Sequence, residues 1–314
     1  MHRLPRMAVA SFLILSAPLG ASYQATNPTI VVKATPLDPE QARQRAVSFV
    51  KSTGVANGQK QVARWAVPVC IKIVGVSTVQ TAQIEDLMLG VAREANVPVA
   101  KKGCSPNVTV IFTGDASEAV RYVHEKRPHQ LRELSLANRE RLVNSTAPVR
   151  WWYTTQDVDR DKVGTDNVAP IFATAGFTGD TVGGPVSVGG MGEMSSTQQY
   201  GSGSHVRTPT IRSLFSATVV IDAPIAGTTP IDSISAYAAM VAFAEIKADS
   251  PPPDSILGLF QPSNAEASIT DWDMAFLKSL YRMPLDRRSR IQRGHLVEAL
   301  LDERVPEKKE SKDR

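Results

Sequence analysis

Histidine and cysteine are scarce in this 314-residue chain, with five of the first and two of the second. No HExxH occurs, so no helix can offer two histidines four apart with a glutamate between them. Two thiols without a nearby histidine pair fall short of the four ligands of a structural zinc site. The G-x-S-x-G elbow of a serine hydrolase is missing, and Ser187 and Ser204 sit in a Ser/Gly-rich stretch without that frame. Gly183-Gly184 and Gly189-Gly190 have neither the lysine nor the strand–turn–helix setting of a phosphate loop. No apolar run is long enough for a comfortable membrane span. A strong charge surplus is lacking as well: the formal net charge is +4, which speaks against a nucleic-acid partner. No internal repeat is visible.

What is present starts with a leader. Met1–Ala21 carries Arg3 and Arg6, then the apolar run Met7-Ala-Val-Ala-Ser-Phe-Leu-Ile-Leu, then small residues. That is a secretory signal pattern, and it predicts a periplasmic or secreted protein. No cysteine follows the run, which argues against lipoprotein attachment. Without Arg3 and Arg6 the balance is 33 basic to 31 acidic residues. An oxidising compartment and an even cysteine count predict one disulfide, Cys70–Cys104.

After a lead-in over residues 22–35, Asp38, Pro39 and Glu40 open a helix that Gly54 closes. Residues 22–63 are thus expected to be an N-terminal helix and linker, with the body running from Arg64 to Leu301. Val67–Val74 reads as a strand. Helix Val79–Ala95 places Ile84, Leu87, Met88, Val91 and Ala92 on one face. Val108–Thr113 is a second strand, so a parallel pair with a right-handed crossover is expected. Asp115 caps a helix Ala116–His124, and a helical patch spans His129–Val143. Val149–Thr155 is a strand that sends Trp151 and Trp152 to opposite faces, one toward core and one toward a groove. Residues 157–213 read as a flexible insertion with a Gly/Ser/Thr-rich centre at 176–204. Phe215–Ile221 resumes as strand, and Ile225–Thr229 as turn. A small-residue helix follows Ile231, then a Pro-rich bend, Ser255-Ile-Leu, and a helix capped by Thr270 or Asp271. A helix over Gly294–Leu301 and a disordered charged tail, 302–314, end the chain.

Candidate chemistry is thin. His124-Glu-Lys-Arg-Pro-His129 spaces its histidines five apart, about 140° around a helix instead of about 40°, and Pro128 breaks the helix there. Asp271 and Asp273 read as cap and first-turn carboxylates rather than an acid/base pair. The arginines between Arg282 and Arg293 read as a solvated face. Trp151, Trp152 and Tyr153 form the candidate ligand groove, because Trp and Tyr join apolar area to a polar tip.

The stretch from Ile231 to Tyr281 resembles the C-terminal half of zincin metallopeptidases in its order of elements: a helix, a turn, a "SIM"-like segment and a helix of the form ITDWDMAFLKSLY. In that comparison the ligand and base positions of the motif fall on Ala238, Ala239 and Ala242, which neither ligate a metal nor move a proton. The segments RWAVPVCIKIVGV, GCSPNVTVIFTGD, PVRWWY, YAAMVAFAEI and DSILGLF also resemble a family of uncharacterised secreted bacterial proteins. The resemblance implies an α+β fold: a single mixed-sheet domain with zincin-like helix order, a pseudoenzyme without metal or cofactor. The expected function is a non-catalytic binding or envelope-associated module, with a cell-envelope component or another protein as partner. The alternative is a hydrolase assembled from distant residues such as His124, His205 and His295.

Overall fold

The computed structural model describes residues 38–55, 60–160, 207–247, 250–262 and 266–304. The leader, the Gly/Ser/Thr-rich centre with Ser187, Ser204 and His205, and tail residues 305–314 lie outside them. Among the described residues the protein is α+β, with eight α-helices and one mixed four-stranded sheet.

The sheet has the order β1-β2-β4-β3, with β1 at Ile71–Val74, β2 at Val108–Thr113, β3 at Val149–Asp159 and β4 at Thr210–Asp222. β1, β2 and β4 are parallel, and β3 runs antiparallel to β4 on the outer edge. The helix between β1 and β2, α2 (Thr78–Glu94), opens on a reciprocal capping box of Ser77 and Gln80. Its buried residues are Ile84, Met88 and Ala92, and Leu87 is 37% exposed, so the apolar stripe is narrower than the spacing predicts. β1 is shorter than Val67–Val74. Pro68 has no N–H, and its carbonyl is taken by the Asn107 side chain, leaving only an isolated bridge from Val69 to Val99.

Helices cover both faces. On one, α6 (Ile231–Phe243) packs against α2 and β4, with α7 (Asp271–Arg282) beside it. α1 (Pro39–Thr53) and α8 (Ser289–Arg304) lie against α7 and each other. Phe49 of α1 is buried against Trp272 and Phe276. This moves the start of the body forward: the described residues from Asp38 to Arg304 belong to one compact unit, and α1 is part of its core. On the other face lie α3 (Ala116–Lys126) and α4 (Leu136–Val143). Ala116 and Val120 of α3, Leu131, Trp152 and Val220 form a buried cluster there.

Further boundaries move for local reasons. The patch expected over His129–Val143 is two pieces, a 3-10 turn at Pro128–Leu131 and α4, because Ser135 caps a new start by accepting the Asn138 N–H. The expected insertion at 157–213 gives up both ends to the sheet, since Asp157–Asp159 pair with Thr210–Arg212. The turn after Asp222 contains one helical turn, α5 (Ala223–Ala226), capped by that aspartate. α8 begins five residues earlier than Gly294 and runs on to Arg304, into the stretch expected to be disordered.

The disulfide Cys70–Cys104 is formed, with Cα atoms 6.0 Å apart, and is consistent with an exported protein. It ties the start of β1 to the loop before β2. Closing a loop of this length stabilises the fold by about 3–4 kcal/mol on the chain-entropy model. No described helix is long and apolar enough to cross a membrane.

Candidate functional site

β3 sets the site. The Pro148 carbonyl accepts the Asp222 N–H at 2.8 Å. Hydrogen-bonded positions recur at every second residue of an antiparallel pair. Arg150, Trp152 and Thr154 therefore turn their backbone groups toward β4, and Val149, Trp151 and Tyr153 turn theirs outward. No described strand lies beyond that edge. Farther along it, the Thr155 carbonyl accepts from Arg132 Nη2 at 3.3 Å.

A cavity of about 300 Å³ follows this edge, and all of Val149–Tyr153 line it. Successive side chains of a strand point to opposite faces, so five in a row can meet one cavity only along the strand's side. α4 forms one wall through Asn138, Arg141 and Leu142, and the segment after α6, Glu245–Lys247, forms the other. The cavity thus occupies the gap where the two helical layers fail to meet around the sheet edge.

The candidate groove residues split as alternation demands. Trp152 is 2% exposed and packs beneath α3. Trp151 faces the α6 side, donates from Nε1 to the Ile246 carbonyl at 3.0 Å, and meets Tyr237 edge-on. The Tyr153 hydroxyl donates to the Val241 carbonyl at 2.6 Å and accepts the Ile246 N–H at 3.2 Å. Burial raises the Tyr153 pKa well above its ordinary value, so the phenol stays protonated and structural.

The opposite wall is held by charge. α6 ends at Phe243, and Ala244 turns extended. Glu245 is then 2% exposed and takes Arg212 in a two-point pair, at 2.5 and 2.7 Å. Lys247 Nζ adds a contact at 2.8 Å. Glu133 lies 3.7 Å from Arg212 and 3.4 Å from Lys60. Burial pushes the Glu133 carboxyl up, but the Thr155 hydroxyl, Lys60 and Arg212 outweigh it and hold the pKa below the usual value. Burial pulls the Arg212 guanidinium down, and Glu245 and Glu133 more than restore it. Gly54 closes the back of this wall. Its φ is +69°, and a Cβ there would sit 2.8 Å from the Lys247 carbonyl oxygen.

Arg150 differs from Arg212. It is 2% exposed, and its Nη2 donates to Ser117 Oγ at 3.0 Å and to the Ser145 carbonyl at 2.5 Å. Its Nε and Nη1 have no partner. Leaving a buried donor unpaired costs about 1–3 kcal/mol, and more for a charged group.

Ala238, Ala239 and Ala242 are at most 1% exposed, and none lines this cavity or the shallow one between α2 and Asp232. The motif positions are therefore packed rather than open. His124 and His295 are exposed, on α3 and α8 at opposite faces of the sheet, and do not come together; His205 lies outside the described residues. No group of three or more His, Cys, Asp or Glu with metal-binding geometry occurs among the described residues. Asp273 caps α7, accepting from Ser255 Oγ, the Ile256 N–H and the Thr270 N–H, while Asp271 is exposed beside Arg304. In the basic turn, Arg282 pairs with Glu303, and Asp286 pairs with both Arg287 and Arg207.

Sequence reasoning reached Trp151, Trp152 and Tyr153 but missed Arg150, Arg212, Glu133 and Glu245. The available signal was a charge inside an apolar run: Val-Arg-Trp-Trp, Thr-Ile-Arg-Ser-Leu and Ala-Phe-Ala-Glu-Ile. Neither family models, nor curated proteins, nor solved structures yield a match to this chain.

Proposed function

We propose that this is an exported, non-catalytic binding module on a degenerate zincin-like scaffold, and that it holds its ligand in the cavity beside the β3 edge. The cavity carries this reading. It is at the lower end of the size range for small-molecule pockets, and its walls mix aromatic and apolar surface with a few fixed polar groups. Its acids and its phenol are already engaged: Glu245 by Arg212 and Lys247, Glu133 by Lys60, Tyr153 by two backbone groups. Such groups suit holding a ligand better than moving protons.

The scaffold reading is supported by the order of elements. A parallel β1-α2-β2 unit comes first, then β3 antiparallel to β4, then α6, the Ser255-Ile-Leu turn and the Thr270-capped α7. Alanines at the three motif positions fit a core that has closed over the place where a metal site would stand.

The test uses the mature protein purified from the periplasm, dialysed and assayed for metal, then screened by thermal denaturation against mixed anionic, neutral and cationic small molecules. The expected result is no stoichiometric zinc and at least one compound that raises Tm. A ligand at 100 times its Kd stabilises by about 2.7 kcal/mol, or roughly 5–10 °C for a domain of this size. Stoichiometric zinc, or a Tm that no compound moves, overturns the proposal.

A further inference from the structure

Two buried arginines line the same cavity, and among the described residues only one is in contact with a carboxylate. Arg212 has a carboxylate on both terminal nitrogens of its guanidinium. Arg150 touches only a hydroxyl and a carbonyl, no ion pair among the described residues includes it, and it meets the exposed Asp115 carboxylate only through space. Its Nε and Nη1 are buried and make no hydrogen bond, so the guanidinium is only partly satisfied. Folding tolerates such a group poorly, and an anion placed beside it relieves the cost.

The rest of the lining points the same way. Among the described lining residues, five cations, Lys60, Arg141, Arg150, Arg212 and Lys247, stand beside two carboxylates, Glu133 and Glu245. Both carboxylates are already held by lysine or arginine. A cationic ligand would have to compete with those pairs, whereas an anionic one meets a guanidinium that no described carboxylate contacts. Leu134, Leu142 and Ile246 supply apolar wall beside it. The volume of about 300 Å³ suits a small molecule or the end of a chain.

We infer that the cavity binds an organic carboxylate, with the acid group compensating Arg150 and an apolar body lying against Leu142 and Ile246. This rests on the reading of the cavity as a ligand site. The same chemistry has two sources. One is a free organic acid. The other is the C-terminal carboxylate of a peptide laid along β3, where Val149, Trp151 and Tyr153 turn backbone groups outward.

The experiment is calorimetric titration of the full mature protein with phenylacetate, phenylacetamide, inorganic phosphate, and N-acetyl-Ala-Ala-Phe as the free acid and as the amide. Both acids are expected to bind at least tenfold more tightly than their amides, and more tightly than phosphate. A peptide acid tenfold tighter than phenylacetate assigns the site to a chain end; the reverse order assigns it to a small acid. Arg150→Met is expected to remove the preference of acid over amide. Ala147→Trp, at an exposed lining position, is expected to fold and to abolish binding of every probe, which keeps the test decisive if Arg150→Met does not fold. Equal binding of acid and amide, or preference for phosphate, overturns the inference and leaves the binding-module reading standing. Failure of every probe to bind, or binding untouched by Ala147→Trp, overturns the inference outright.

Discussion

The two faces of the sheet are packed to different standards. On one, α6 is buried over eleven consecutive residues, Ser233–Phe243, between α2, α7 and β4. On the other, α4 buries no residue, and a cavity opens between it and the strand edge. A helix buried all round fixes the fold through close packing, where each added atom must displace another. A helix that only leans on the domain leaves room for a ligand. In this protein the place where a zincin-like reading puts chemistry is almost fully buried, and the room lies one segment farther on, after the helix has ended.

The largest effect should come from rebuilding the motif. Ala238→His, Ala239→Glu and Ala242→His together insert three large polar side chains where exposure is at most 1%. Overpacking and unpaired polar burial add, and the loss should exceed about 5 kcal/mol. Circular dichroism should show an unfolded chain rather than a zinc protein. A folded, zinc-binding triple variant would erase the contrast between the faces.

Breaking the charged wall should come next. Arg212→Met leaves Glu245 buried without its main partner, and about 3–5 kcal/mol should be lost in urea unfolding. Arg212→Met with Glu245→Met should recover much of that, because the uncompensated charge goes with it. A double variant as unstable as the single one would mean that the pair contributes through packing alone.

Gly54→Ala tests the contact between α1 and that wall. The positive φ and the approach to the Lys247 carbonyl predict a loss of about 1–3 kcal/mol, read as a lower Tm. A neutral outcome would show that the wall yields freely.

The smallest effect is a pH dependence. The Glu133 pKa is lowered on folding, so its contribution is present above the unfolded value near 4.5 and is lost as pH falls through the folded value. Glu133→Gln should therefore flatten the stability profile below pH 4.5, measured by urea midpoints, and change little at pH 7. Asp273 works in the opposite sense. Burial raises its pKa, so its stabilising contribution is greatest below the unfolded value near 3.8 and is lost as pH rises through the folded value.

Much of the architecture was legible in the residues. The parallel β1-α2-β2 unit followed from two β-branched runs and a periodic helix between them, and the disulfide from two cysteines at the ends of neighbouring strands. Capping chemistry placed Gly54 and Asp115 correctly and narrowed the α7 cap to Thr270 or Asp271, of which Thr270 is the cap, because such residues act on backbone groups three or four positions away. Legibility failed where a boundary depends on a distant partner. Asp157–Asp159 and Thr210–Arg212 read as polar loop because their strand character comes from pairing with each other across some fifty residues. α1 read as a separate helix because Phe49 finds Trp272 and Phe276 only after the chain has folded.

The site divides in the same way. The sequence alone determined that Trp151 and Trp152 face opposite ways, since a strand's side chains alternate, and that Ala238, Ala239 and Ala242 cannot grip a metal, since a methyl group has nothing to donate. Only the tertiary structure decided that Glu245 would neutralise Arg212 and that, among the described residues, no carboxylate would come into contact with Arg150. Charge compensation in the interior is a matter of distance between segments remote in the chain, and the order of residues does not carry that distance.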